Sequence, residues 1–335
     1  MSLGALLEPV RFGDGRCLPC RLVPGPMDGV TEGSFVSVLS RLGLVWSWHT
    51  PFLRISTGVP SRTRLRAALR PYLETGLPVT VQLMGLDGGR LAATAARVLD
   101  LGAVCADLNC ACPSPTVLGS DSGGARLRHL DWLADTLARM REACGDRGLS
   151  VKLRVGFESA AEFPRIAEAV RAGRPDVVIV HYRTVREQYR PIVGGLERLA
   201  MAADVLPDVT VFGSGDLFTV PDGLAMAAVP GIAGLAPARG LMRCPDLLLR
   251  LRAAIAGEPP PPPLEPHGFL LALGEEARRL HPPRGNGFLL RLAAAMFGAD
   301  SERFRRLVAC RTLDATLDEL RRLHAAAATT NQETH

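Results

Sequence analysis

The chain has 335 residues and a net charge of +5, from 39 Lys plus Arg against 34 Asp plus Glu. That length fits one large α/β domain followed by a small second one, and so mild an excess of base does not by itself indicate a nucleic-acid partner. Eight scattered cysteines exclude a secreted disulfide scaffold, and no apolar run approaches the roughly 18 residues of a membrane span. The opening "MSLGALLEPVRFGDGR" lacks a basic stretch followed by a long apolar core, so no signal peptide is expected and a reduced cytoplasm is the expected compartment. Cys17 and Cys20 form a CxxC without a second pair at zinc-ribbon spacing, and no histidines show metal spacing, so no metal is predicted.

Short apolar runs alternate with helical patterns from about 20 to 256. The predicted strands are "CRLVPGPM" (20–27), "LVWSWHTPF" (44–52), "PVTVQLMG" (78–85), "AVCADLNC" (103–110), "LSVKLRVG" (149–156), "DVVIVHYRT" (176–184), "DVTVFGSGD" (208–216) and "GIAGLAPARG" (231–240). Helical patterns lie between most of them, among them 88–102, 131–144 and 159–173. Eight such units predict a (β/α)8 TIM barrel. A doubly wound sheet would carry a G-x-G-x-x-G after its first strand, and none is present. The catalytic domain is therefore expected over 1–256. "GEPPPPPLEP" (257–266) follows as a stiff, extended linker. Residues 267–326 read as a small all-helical domain, with Ser301 as an N-cap and Phe304, Val308, Leu313, Leu317 and Leu320 on one face. Residues 327–335 read as a frayed tail.

Chemistry in a barrel of this kind sits at the C-terminal ends of the strands. Those ends read "PMDG", "QLMG", "NCACPSP", "KLR", "HYRT", "FGSGD" and "APARG". Together they bring an amide, a thiol, an amine, an imidazole, two glycine-rich turns and an arginine, a set suited to a large anionic cofactor. The turns after the last two strands are the usual phosphate-binding place in such barrels. Lys152 is the only lysine in the chain. On its strand it would point into the barrel mouth beside Gln82 and His181, where a compact ammonium suits the electron-rich edge of a reduced flavin; the plainer alternative is a snorkelling lysine. Cys112 precedes a proline in a Pro/Gly/Ser loop. By chemistry alone it is either a loop acid or a small buried core residue. Cys110, two residues earlier, would share its face on a continued strand.

The ordered set "PMDGVTEGSF", "VQLMG", "DLNCACPSPTV", "SVKLRVGF", "VVIVHYRT", "VFGSGD" and "APARGLMRCPDL" resembles the bacterial tRNA-dihydrouridine synthases, over about 22–256. The "CPSPTVLGS…GGA" loop is most similar to the type-C subfamily, whose members act at position 16 of the tRNA D-loop. The resemblance implies a barrel that binds FMN, a helical domain that helps hold tRNA, and NADPH as reductant. Hydride passes to C6 of uracil, and a loop cysteine, here Cys112, protonates C5. By position, Pro26, Met27, Asp28, Gln82, Lys152, Ser214, Gly215, Asp216, Ala238 and Arg239 match the flavin-contacting motifs. His181 matches the strand-end histidine near the flavin, and Asn109 the asparagine that positions flavin and uracil. Arg154, Arg183, Arg303, Arg305 and Arg306 are the expected grip on tRNA, with a solvated face in an arginine-biased chain as the alternative. No protein partner is predicted, and a monomer is expected. Ala111, Ser214 and Ala238 depart from the family's usual Gly, Asn and Gly. Two further readings remain: an FMN barrel reductase of a free small substrate, and an inactive tRNA-binding homologue.

Overall fold

The structure is a computed structural model that describes residues 2–280 and 285–332. Its strands are β1 (Val10–Arg11), β2 (Cys17–Leu18), β3 (Trp48–His49), β4 (Leu53–Ile55), β5 (Val79–Gly85), β6 (Cys105–Cys110), β7 (Gly148–Arg154), β8 (Val177–His181), β9 (Thr210–Ser214) and β10 (Ile232–Leu235). The strands from β3 to β10 form one parallel sheet in the order β10-β9-β8-β7-β6-β5-β3, and β4 also pairs with β5. Leu22 bridges Leu235, and the Val23 N–H donates to the Leu235 carbonyl at 3.0 Å. The sheet thus curls until its first segment meets its last strand, giving the expected TIM barrel.

Two wall segments are shorter than their patterns. Residues 20–27 contribute a bridge rather than a strand, because Pro24 and Pro26 have no N–H to donate to a ladder. The 44–52 pattern yields only β3, which ends before Pro51, and the next strand, β4, begins just beyond that pattern. β1 and β2 form a hairpin that the sequence pattern did not reveal. Its Val10, Phe12 and Leu18 cluster with Val23, Val104, Cys105, Val177 and Phe212, near the starts of the strands, and so close the bottom of the barrel.

The helices are α1 (Gly33–Arg41), α2 (Arg62–Leu73), α3 (Gly88–Asp100), α4 (Pro115–Gly119), α5 (Leu130–Cys144), α6 (Phe163–Ala172), α7 (Gly195–Asp204), α8 (Val220–Ala227), α9 (Arg239–Arg243) and α10 (Leu247–Ala256), around the barrel. Each longer one buries one apolar face. In α3 this face is Leu91, Ala95, Val98 and Leu99, and the Asp87 carboxylate caps the helix by accepting from the Arg90 N–H at 2.9 Å. After Gly257 the chain runs without regular secondary structure to α11 (Pro266–Leu280), then α12 (Gly287–Phe297), α13 (Glu302–Val308) and α14 (Leu313–Gln332). α11 packs on α1 and α14, and α12 packs on α9, so these helices seat beside the barrel mouth.

The continuous pattern expected from Ser301 onwards is two helices. Ser301 caps α13 as read, accepting from the Phe304 N–H at 3.1 Å. The chain then breaks, and the Thr312 hydroxyl accepts from the Ala315 N–H at 3.2 Å to start α14. Leu313, Leu317 and Leu320 are buried as expected, whereas Val308 is half exposed. The helical backbone of α14 continues to Gln332, through most of the stretch expected to fray, consistent with its run of helix-favouring alanines. The end of that stretch, 333–335, lies outside the described residues.

Candidate active site at the barrel mouth

Most of the strand-end residues meet in a cavity of about 380 Å³. Gln82 of β5, Asn109 of β6, Lys152 of β7, His181 of β8 and Ser214 of β9 all line it. Strand register explains the convergence. Asn109 lies opposite Lys152, Asp107 opposite both Gln82 and Ser150, and His181 opposite both Arg154 and Ser214. With a period of two, alternate residues of each strand then face one interior. The loop after the first wall segment adds Pro26, Met27 and Asp28, the loop after β6 adds Cys112, and the last two turns add Gly215, Ala238 and Arg239. Gly215 must be glycine for packing, since a Cβ there would lie 2.1 Å from the Tyr182 ring.

A buried chain of hydrogen bonds runs beneath this cavity. Asp107 accepts from the Ser150 hydroxyl at 2.6 Å and from the Gln82 amide nitrogen at 2.7 Å. Gln82 Oε1 accepts from Asn109 Nδ2 at 2.6 Å. Asn109 Oδ1 accepts from the backbone N–H groups of Ala111 and Cys112, each at 3.1 Å. His49 Nε2 is 3.1 Å from Asp107 Oδ2 but outside hydrogen-bond geometry. The two bonds from Asn109 turn the chain out of the strand. Cys110 and Cys112 therefore do not share a face as expected: Cys110 is sealed in the core, and Cys112 is half-buried in the cavity. The loop is braced on two more sides, by Gly124 N–H to the Cys112 carbonyl at 3.0 Å and Arg154 Nε to the Ala111 carbonyl at 2.9 Å.

The electrostatics of the site follow from burial. The Cys112 thiol is pushed up from its ordinary value by desolvation, so it holds its proton at neutral pH. Lys152 is brought down to about 8, first by burial and then by the neighbouring Arg154 guanidinium. His181 is pushed well below its usual range, by burial first and then by Arg154, and is neutral. Its Nδ1 accepts from the Arg183 N–H at 3.1 Å, so the ring proton sits on Nε2.

The profile for "Dihydrouridine synthase (Dus)" matches residues 22–278, which span the barrel wall and most of α11. The chain belongs to that family. It is 34% identical over 238 residues to the tRNA-dihydrouridine(16) synthase of Pseudomonas putida, covering 69% of this chain and 73% of that one. It is 31% identical over 269 residues to the enzyme of the same name from Aquipseudomonas alcaligenes, covering 77% and 84%. Among solved structures, a variant of NCR from Zymomonas mobilis aligns with a TM-score of 0.55 at 16% identity, covering 78% of this chain and 93% of that one. TcOYE with pHBA aligns with a TM-score of 0.56 at 11% identity, covering 78% and 95%. These two show the barrel fold.

Several residues expected at the site of this dihydrouridine synthase family member are held elsewhere. Asp216 does not line the cavity; it pairs with both terminal guanidinium nitrogens of Arg183, Nη1 and Nη2, and, at 2.6 Å, with Arg239. Arg183 is buried, and its Nε donates to the Arg190 carbonyl at 2.7 Å, so it clamps the loop after β8. Arg154 lines the cavity but also binds the carbonyls of Thr184 and Gln188, each at 2.8 Å. On α13, Arg306 pairs with Glu319, Arg303 lies 5.9 Å from the centre of the Phe297 ring, and Arg305 is exposed. None of these three lines the cavity.

Arg291 does. This α12 side chain reaches the cavity and donates from Nη1 to the Gly29 carbonyl at 2.8 Å. Nothing in its local sequence marks it, because only the docking of α12 brings it there. Asp107 had a readable signal, since it is two residues before Asn109 and so shares its face.

Proposed function

We propose that this protein reduces a uridine of the tRNA D-loop to dihydrouridine, at position 16 as in the type-C branch, using FMN and NADPH. The observation that carries the reading is the meeting of Cys112, Lys152, His181 and the Gln82–Asn109 pair in one cavity. The same residues fit a flavin. Lys152 is a buried ammonium with no hydrogen bond or ion pair among the described residues, and so needs an acceptor or an anion from outside the chain. The neutral His181 presents an N–H from Nε2. The cavity volume lies within the usual range for cofactor sites.

Bound FMN would supply the hydride to C6 of uracil, replenished from NADPH. Lys152, Gln82, Asn109 and His181 would hold the polar edge of its ring, and Arg239, with the turns at Gly215 and Ala238, its phosphate. Pro26, Met27 and Asp28 would line the same ring. Cys112 keeps its proton at neutral pH and gives it to C5 as the double bond is reduced. A uridine of folded tRNA reaches such a floor only after extrusion from its stack. Arg154, beside Cys112, and Arg291, on α12, line the cavity and would meet it.

The test is nucleoside mass analysis of tRNA from a host lacking its own dihydrouridine synthases, with and without this gene. A two-dalton gain mapped to D-loop uridine 16 is expected. No gain from a flavin-loaded protein would favour a reductase of a free substrate, and no gain from a colourless one an inactive tRNA-binding homologue.

A further inference from the structure

We infer that Asp107 is a positioning residue that fixes which way the amides of Gln82 and Asn109 face, and through them both the polarity of the cavity floor and the path of the Cys112 loop. The inference rests on the donor and acceptor types at the two ends of the buried chain. At one end, the Asp107 carboxylate only accepts. At the other, the backbone nitrogens of Ala111 and Cys112 only donate. Between them stand two side-chain amides, each with one accepting and one donating end. Gln82 must turn its nitrogen to Asp107 and its oxygen to Asn109; Asn109 must then turn its nitrogen to Gln82 and its oxygen to the loop. If either amide flips, donor meets donor and acceptor meets acceptor at contacts buried beneath the cavity. All three side chains are buried, with Asp107 fully so. Such a mismatch has little solvent to relieve it.

Two consequences follow. The Asn109 oxygen accepts two bonds and the Gln82 oxygen one, so each amide has a spare N–H to offer the cavity it lines, and only Gln82 keeps an accepting lone pair. With the Lys152 ammonium and the His181 Nε2–H, that part of the floor offers donors. The Asn109 oxygen, held towards the loop, fixes the turn that carries Cys112 into the cavity. Asp107 touches neither the cavity nor the loop, and acts on both from one layer below. The effect on flavin rests on the function proposed above; the amide orientation does not.

The test uses the full-length protein and exploits its composition, since it has three asparagines and three glutamines. Only six side-chain NH2 pairs therefore appear in a 15N-correlated NMR spectrum, and replacing Gln82 and Asn109 singly assigns theirs. In the flavin-free wild type, one proton of each pair should exchange with solvent far more slowly than those of exposed Gln188. Equal exchange would overturn the relay, whatever the enzyme's activity. In Asp107→Asn the anchor becomes ambivalent. Both pairs should shift and lose protection, and FMN should bind about tenfold more weakly, the scale of one such hydrogen bond. Ser150→Ala removes the other bond to Asp107 but leaves the anchor, and should stay within about threefold of wild type in FMN affinity. Equal losses in the two variants would mean that Asp107 acts only by packing. If the wild type shows the protected amides but binds no FMN, the proposed function fails and the relay stands.

Discussion

The barrel floor and the C-terminal helices use the same residue types to different ends. On the floor, each polar side chain is placed by a strand whose neighbours are fixed by backbone pairing, so Asn109 faces Lys152 and Arg154 faces His181 because of register. Arg154 and Arg183 there are buried and spend their N–H groups on carbonyls and on Asp216. On α13 and α14, arginines sit on helix surfaces and pair with nearby acids such as Glu319 and Asp318, in contact with water. An arginine of the floor is thus part of a frame, whereas one of the helices is free to be exchanged. Arg291 breaks the pattern, as a helix residue that enters the cavity.

That contrast can be sharpened by substitution. The largest effect is expected from Cys112→Ala, which should leave FMN bound and slow turnover about 10²- to 10⁴-fold, the scale of a lost general acid. Cys110→Ala, in the core two residues away, should leave the rate near wild type in the same single-turnover assay. A dead Cys110→Ala with an active Cys112→Ala would mean the wrong thiol has been assigned.

Next is Lys152→Met. Losing a charge-assisted bond should weaken FMN roughly ten- to a hundredfold. It should also raise the melting temperature of the flavin-free protein, because it removes a buried cation that has no partner among the described residues. The pH dependence has a definite sign. A folded value of about 8, below the usual lysine value, means that the cost of burying the charge is present below about 8 and is relieved as pH rises. Flavin-free stability should therefore climb above pH 8 in the wild type but not in Lys152→Met, while wild-type FMN affinity falls over the same range. Calorimetry and FMN titration across pH read both.

Smaller effects separate the arginines. Arg183→Ala should cost about 2 kcal/mol in denaturant unfolding, below the range for fully buried pairs because Asp216 is a third exposed and keeps Arg239. Arg306→Ala, at a part-exposed pair, should cost at most about 1 kcal/mol. Arg291→Ala should raise the KM for tRNA about three- to tenfold, about the value of one hydrogen bond, with FMN affinity unchanged. A similar loss of tRNA binding from Arg305→Ala would move the grip to α13 and dissolve the contrast between the two regions.

The sequence by itself determined the barrel and most of its lining. Strand periodicity of two and helix periodicity of 3.6 are local properties, and once the eight units are counted, residues at strand ends must gather at one face. Gln82, Asn109, Lys152, His181 and Ser214 were legible for that reason. Tertiary structure decided three other things. It split the inward residues into layers, setting Asp107 beneath the cavity as an anchor. It drew Arg183 and Asp216 into a pair with each other, because two opposite charges on neighbouring loops satisfy one another before any ligand arrives. And it brought Arg291 to the mouth by packing α12 on α9. Register propagates along a chain by hydrogen bonds between adjacent strands, whereas the docking of a helix depends on the shape of a surface built by residues far away in sequence.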